Sequence, residues 1–289
     1  MYHREDVFPW EPHLSEMGGA HIRGARVGDS VVVIVGEKGA AQRRLHVRGD
    51  AGHGSIPLGR VSAVEMLAQV SRVLSQAQWP QASDEIWAGF VRAFEFDSEL
   101  EESLISGTYR GDYGEFGDLA AYAHAVSHMT VAQTVVRAGA PINVLPSSGE
   151  LELDIRTLPG QSDDDVDRAI TEALGELAEH VTIERLLSER ATASSIDTKL
   201  YRAIEETLTQ ANPGAKVVPI IFPGGSDLRV GRHKGGVGYG FGSCSSGATL
   251  GQVYSQLHAH DEHIAVEDIV STVCALDHLT RLFIYPEKA

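Results

Sequence analysis

Apolar positions recur along this chain with two different periods, and the places where the period changes mark its elements. Val31-Val32-Val33-Ile34-Val35 is an unbroken β-branched run. Such a run predicts a strand buried on both faces, as in a parallel sheet covered by helices. Over residues 43–48, Leu45 and Val47 alternate with polar residues, the period of a half-buried strand. Residues 61–74 then predict a helix, and residues 130–138 a second strand. Residues 150–156 alternate strictly, with Leu151, Leu153 and Ile155 on one face and Glu150, Glu152 and Asp154 on the other. Ser162 is placed to cap a helix whose first turn carries Asp163, Asp164 and Asp165, the charge that a helix N-terminus favours. Val166, Ile170, Leu174 and Leu177 form its apolar stripe. Residues 181–186 close the series as a strand. Strand, helix, strand, strand, helix, strand is the order of a split βαβ domain.

A different pattern flanks this series. Residues 1–20 read as a polar loop with Pro9, Pro12, Phe8 and Trp10. Leu200, Ile204 and Leu208 mark a helix, residues 217–222 a short apolar strand, and Pro223-Gly224-Gly225-Ser226-Asp227 a turn into a helix start. The last helix opens with Glu267 and Asp268 and carries Val266, Val270, Val273 and Leu276 on one face. We therefore expect a discontinuous α/β domain from 1–39 and 188–289, and a smaller domain over 40–187. Residues 83–128 have helical spacing in places (Ile86, Phe90, Phe94). They are expected as an insertion in the smaller domain, without an assignable role.

Composition narrows the function classes. The formal net charge of -16 argues against nucleic acid and anionic membranes, because binding to phosphate is driven by Lys and Arg. Cys244 and Cys274 belong to no paired metal motif and suggest no disulfide framework, so a reduced, cytoplasmic setting is expected. The first residues have no apolar stretch of the signal-peptide kind. The longest β-branched run is too short to span a membrane. Residues 235–242 are Gly-rich but lack the spacing of a dinucleotide fingerprint, and Ser245 lacks the glycine of a hydrolase nucleophile elbow.

Candidate chemistry sits in two kinds of place. One is the corner Arg48-Gly49-Asp50-Ala51-Gly52-His53-Gly54-Ser55-Ile56-Pro57, where glycines on both sides of His53 allow a tight, open backbone. Taken alone, it is a surface His in a turn. The others are carboxylate and imidazole groups of zinc-ligand type: Glu16 before Met17-Gly18-Gly19, and the His258-Ala259-His260-Asp261-Glu262 stretch before the last helix. Taken singly, these are a loop Glu and a polar helix cap.

Their order along the chain changes that reading. From about Ser15 onward the chain resembles the co-catalytic di-zinc peptidases and deacylases, a family that includes aminoacylase, carboxypeptidase G, acetylornithine deacetylase and succinyl-diaminopimelate desuccinylase. The resemblance is carried by Ser15-Glu16-Met17-Gly18-Gly19, by residues 49–57, by Ile142-Asn143-Val144-Leu145-Pro146, by Leu153-Asp154-Ile155-Arg156, by Gly224-Gly225-Ser226-Asp227 and by His258-Ala259-His260-Asp261-Glu262. It implies a partial zinc-peptidase catalytic domain (a mixed sheet with helices) plus an inserted ferredoxin-like α+β lid that forms homodimers. It implies that Glu16 ligates one of two zinc ions and His258 the other, with His260 outside the ligand set. His53 would cross the dimer interface to polarise the scissile carbonyl in the partner's site. Asn143 and Arg156 would hold substrate carbonyl or carboxylate, Arg through two parallel hydrogen bonds. Gly225 and Ser226 would bind substrate at a helix start. The implied substrate is a small peptide or N-acyl amino acid with a free carboxylate beside the scissile amide.

One part of the family pattern does not occur. The bridging Asp, the remaining zinc ligands and the general-base Glu come from an H-x-D and a D-E-E-like motif upstream of the Glu16 position. Here His3 is followed by Arg4-Glu5, and His13 by Leu14-Ser15. The expectation is the C-terminal portion of such a hydrolase, inactive alone, with an unpaired edge and uncovered apolar surface around residues 31–35. The alternative is a non-catalytic, dimerising or metabolite-binding remnant.

Overall fold

The computed structural model describes residues 11–23, 29–139 and 141–285. The first half of the expected N-terminal loop, with Phe8 and Trp10, lies outside the described residues. The chain divides into two compact units, one drawn from Met1–Lys38, Ala82–Ser127 and Thr192–Ala289, the other from Gly39–Gln81 and His128–Ala191.

In the first unit the β-branched run forms Ser30–Glu37, buried at every position. It pairs in parallel with Lys216–Phe222 and antiparallel with His21–Ile22, Thr192–Ala193 and Gly240. The expected unpaired edge at residues 31–35 is therefore corrected: this strand has neighbours on both sides. The sheet runs out instead at His13–Ser15, which pairs in parallel with Gly238–Gly240. Val31, Val33 and Val35 pack against Leu200, Ile204 and Leu208 of helix Lys199–Ala211 and against Ala275 and Leu279 of helix Val266–Ile284. The last helix thus turns Ala275 and Leu279 inward, while Val266, Val270 and Val273 are 72%, 56% and 61% exposed. Its most β-branched face is not the face that meets the core.

Residues 82–127 group with this unit rather than with the smaller domain. The reason is aromatic packing. Phe90 and Phe116 stack at 5.6 Å, Phe90 meets Phe94 and Tyr122 edge-on at 5.2 Å, and the Trp87 indole donates to Leu104 O at 2.9 Å. The Tyr122 hydroxyl donates to Ile221 O of strand Lys216–Phe222 at 2.8 Å, tying the cluster to the sheet. These residues carry the helical spacing seen at Ile86, Phe90 and Phe94 and pack largely on one another, but the bond that ties them to the sheet, Tyr122 to Ile221, spans ninety-nine residues of chain.

The second unit is an antiparallel sheet in the order Val181–Arg185, Arg43–Arg48, Ser148–Thr157, Thr130–Ala138. With helices Ala63–Gln76 and Asp163–Leu174 on one face, it is the ferredoxin-like arrangement that its element order predicts. Leu45, Val47, Leu151, Leu153 and Ile155 meet Met66, Leu67, Val70, Val166, Ile170 and Leu174 in one core. Ser62 caps the first helix through the Glu65 amide at 3.3 Å, and Ser162 with Asp165 forms a capping box on the second. Arg43 is wholly buried and is neutralised by Asp163 at 2.5 Å and Asp167 at 2.7 Å. The other sheet face is a charged ladder, with Arg44 and Arg137 on Glu152 at 2.9 and 2.7 Å and His46 on Glu184 at 2.7 Å.

Candidate active site

His53 sits on a two-stranded ribbon, Gly52–His53 paired with Val144–Leu145. His53 faces Val144 in the register, and the Gly54 amide donates to Asn143 O at 2.7 Å. A Cβ on Gly54 would stand 3.2 Å from that oxygen, so a small residue lets the two loops close. The ribbon brings His53 and Asn143, ninety residues apart in sequence, to one exposed tip. His53 Nδ1 is within 2.8 Å of the Ser55 hydroxyl. Ile56 and Leu58, which follow His53, and Ile142 and Val144 on the facing loop are exposed apolar side chains.

Arg156 lies elsewhere on the same unit. It pairs with Thr130 and Ala40, eight residues along the strand from Ser148, which pairs with Arg48 next to the ribbon. At about 3.3 Å per residue this separation is roughly 26 Å. The Arg156 guanidinium is engaged by Asp154 through two contacts, at 3.0 and 3.1 Å. A substrate carboxylate would have to displace Asp154 to use that fork.

The other candidates belong to the first unit. Glu16 is exposed and follows strand His13–Ser15; the Ser15 hydroxyl donates to it and holds its carboxyl below the usual range. Gly18 and Gly19 are needed because the chain there runs against the backbone of residues 240–243; a Cβ on Gly19, whose φ is +72°, would stand 2.1 Å from Gly242 O. Glu16, Met17 and Gly18 line a cavity of about 620 Å³. Leu257, Glu262 and His263, which bracket His258, line the same cavity. His258 itself is exposed, with φ +56°, and its amide donates to Glu262 at 3.3 Å. His260 is exposed. Cys244 also lines the cavity, but burial, helped by the Asp268 charge, pushes its thiol up to about 11. A thiol held that high is a poor nucleophile at neutral pH.

Zinc needs three or four convergent protein donors. Among the described residues no group of three His, Cys, Asp or Glu side chains is arranged to hold a metal ion. Glu16 and the His258 loop approach one cavity, yet they do not by themselves make a metal centre.

Ser226 has a structural task that its sequence context did not reveal. Its amide and hydroxyl both donate to Glu37 Oε2, at 2.7 and 2.5 Å, and its oxygen accepts from the Leu228 amide at 3.3 Å. Gly225 is the exposed corner of that turn. Glu37, 1% exposed, was not singled out in the sequence. A carboxylate closing a run of β-branched residues is the signal that could have found it. Arg232, buried and bonded to Gly238 O at 2.7 Å, lies 4.0 Å from it.

Comparison with known proteins decides the family. Residues 35–182, just over half of the chain, match the peptidase dimerisation domain family. The chain belongs to the M20 peptidase family. A curated relative, a probable carboxypeptidase S-like 2 from Dictyostelium discoideum, is 27% identical over 205 residues, covering 67% of this chain and 37% of its own length. Among solved structures, the M20 family metallo-carboxypeptidase Sso-CP2 from Sulfolobus solfataricus superposes with a TM-score of 0.59 at 18% identity, over 87% of this chain and 60% of that one. The dipeptidase Dug1p from Saccharomyces cerevisiae gives 0.54 at 13% identity, over 94% and 59%. These likenesses bear out the mixed α/β catalytic-type unit with an M20 lid. The M20 chain described here spans less than two thirds of each of these relatives.

Proposed function

We propose that this chain is the C-terminal portion of an M20 zinc-dependent hydrolase that cleaves a peptide or N-acyl amide bond beside a free carboxylate, with each site shared between two copies. The observation that carries this reading is the roughly 26 Å of strand between Ser148, whose partner Arg48 leads toward the His53–Asn143 ribbon, and Arg156. One copy cannot bring all three to one small substrate; two copies paired through their lids can. Strand Thr130–Ala138 supports such pairing. Its outer edge has no ladder partner among the described residues, and beside it runs a groove of about 570 Å³ lined by Val64, Leu67, Ala68 and Val136. An open, partly apolar sheet edge is a surface for strand-to-strand association.

In this scheme His53 of one copy donates a hydrogen bond to the scissile carbonyl oxygen as it gains charge. Asn143 orients the same group from the neighbouring loop. Arg156 of the other copy exchanges Asp154 for the substrate carboxylate. The zinc ions belong to the family resemblance, with Glu16 and His258 as one donor each. Because the described donors do not complete a centre, no step is assigned to the metal.

That same incompleteness favours a second reading, a dimerising lid protein without catalysis. Light scattering of the chain, and zinc content and hydrolysis of dipeptides and N-acyl amino acids measured with the upstream segment that bears the H-x-D and D-E-E-like motifs supplied, separate the two. A dimer whose hydrolysis is abolished by H53A and by R156A, and partly restored on mixing the two variants, supports the shared site. A monomer sinks it. A dimer that neither holds zinc nor hydrolyses any of these substrates leaves the non-catalytic reading.

A further inference from the structure

His21 joins three segments of the first unit. Its backbone pairs with Val31 in the sheet, and its amide donates to Ala248 O at 2.9 Å. Its side chain, 5% exposed, lies between two oxygens. Nδ1 is 2.6 Å from Asp29 Oδ2, and Nε2 is 2.9 Å from Cys244 O. A neutral imidazole carries one N–H, so it satisfies one of these oxygens and turns a lone pair on the other. With both nitrogens protonated, the ring donates to both and meets the Asp29 carboxylate as a cation. The geometry is that of an imidazolium.

What this imidazolium holds is the loop of residues 244–249, which forms one wall of the 620 Å³ cavity that Glu16 also lines. His21 grips the loop twice, by its ring at Cys244 and by its amide at Ala248. Between these points Asp268 accepts from the Ser246 amide and hydroxyl, both at 2.7 Å. The donors to Asp268 do not titrate near neutral pH. The ring of His21 does.

We propose that His21 is a pH-sensitive clasp, fastening the 244–249 loop as an imidazolium and releasing its Cys244 end when the ring proton is lost. Asp29 is the one charged group bonded to the ring among the described residues. Four other charged or titratable groups stand around it. Asp268 holds the loop, Arg23 has its guanidinium against Gly247, and the buried Cys244 thiol is uncharged at neutral pH. Lys216 donates its amide to Asp29 O at 3.1 Å, while its Nζ lies 3.5 Å from Glu95. Because the fastened form carries the proton, the clasp is complete below the titration of His21 and is lost as pH rises through it. Cys244 O keeps the Gly247 amide at 3.0 Å in either state. The cost of deprotonation therefore falls on the ring, where one nitrogen then faces an oxygen without a proton between them. The clasp is independent of the hydrolase reading.

The test uses the full chain and two readouts. Nitrogen-15 spectra of the imidazoles, with His21 assigned through H21N, should show both of its ring nitrogens protonated at about pH 7. In D29N, which removes the facing charge, one of them should have lost its proton at that pH. The second readout is the rate of Cys244 with a thiol reagent, divided by that of exposed Cys274 in the same molecule. At about pH 7.5 this ratio should be about tenfold higher in D29N, the effect of one lost hydrogen bond. The excess should shrink as pH is lowered, and Asp29→Glu, which keeps the carboxylate, should bring the ratio back. Asp29 is 41% exposed, so its substitution leaves the core intact. A neutral His21 ring at about pH 7 in the unmodified chain overturns the proposal. So does an equal cysteine ratio in D29N and the unmodified chain. Should D29N fail to fold, the unmodified chain decides alone: a ratio that does not rise over the interval in which the imidazolium signal disappears overturns the clasp.

Discussion

The two units solve the same problem differently. The lid buries one face of its sheet under two helices and dresses the other in Arg44, Arg137, His46, Glu150, Glu152 and Glu184. The first unit buries Val31, Val33 and Val35 just as well, yet keeps a cavity over Val32 and Ile34 and an exposed valine stripe on its last helix. A hydrophobic core needs every apolar face covered. The lid covers its helix-side sheet face within its own residues and keeps exposed apolar side chains at the His53 ribbon and the outer strand, whereas the first unit exposes the valines of its last helix.

The sharpest way to break this contrast is substitution in each unit's apolar face. Leu153→Ala in the lid core should cost about 3 kcal/mol in denaturant unfolding, since the leucine is fully buried and the cavity cannot collapse. A loss below about 1 kcal/mol would mean that the lid core is looser than its packing shows.

Acid should separate the units next. Asp165 is held at about 2 by the Ser162 hydroxyl, then the Ser162 amide and Arg168. Arg137 and Arg44 lower Glu152, and His46 lowers Glu184. Depressed carboxyls stabilise the fold above their unfolded values and lose that contribution as pH falls through their folded ones. Lid melting should therefore drop between about pH 4 and pH 2. Probes reporting on the lid sheet that show no change over that interval would contradict the ladder's contribution.

Smaller effects refine the picture. Ser62→Ala removes the cap of Ala63–Gln76 and should cost about 1 kcal/mol by thermal or denaturant unfolding. In the chain alone, Val273→Asp should change stability by no more than about 0.5 kcal/mol, because that side chain is already in water. A large loss there would show that the stripe is covered within the chain itself. At pH 8, Cys274 should react with a thiol reagent well before Cys244, whose burial holds its thiol at about 11.

Much of the lid was legible in advance. Leu45 and Val47, the Leu151-Leu153-Ile155 alternation and the Ser162 cap are local signals, and local signals survive folding when one face of each element meets one core. The last helix was legible as a helix but not in its orientation. Periodicity shows that Val266, Val270 and Val273 share a face; it does not say whether Ala275 and Leu279 will win the contact with Val31, Val33 and Val35. Residues 82–127 failed in another way. Their helical spacing was visible, but the partner of Tyr122 is Ile221, and no local pattern names a contact at that distance.

The sequence by itself determined the strand and helix pattern of the lid, the acidic surface and the order of motifs that places the chain among M20 peptidases. Only the tertiary structure decided that His53 and Asn143 share one tip while Arg156 stands at the far end of its strand. It alone spent Ser226 on Glu37 and gathered the 82–127 aromatics onto the first unit's sheet. The physical reason is the range of the forces that choose. Strand and helix periods are set by neighbours a few residues away, whereas the assembly of a site depends on which faces find each other across the whole chain.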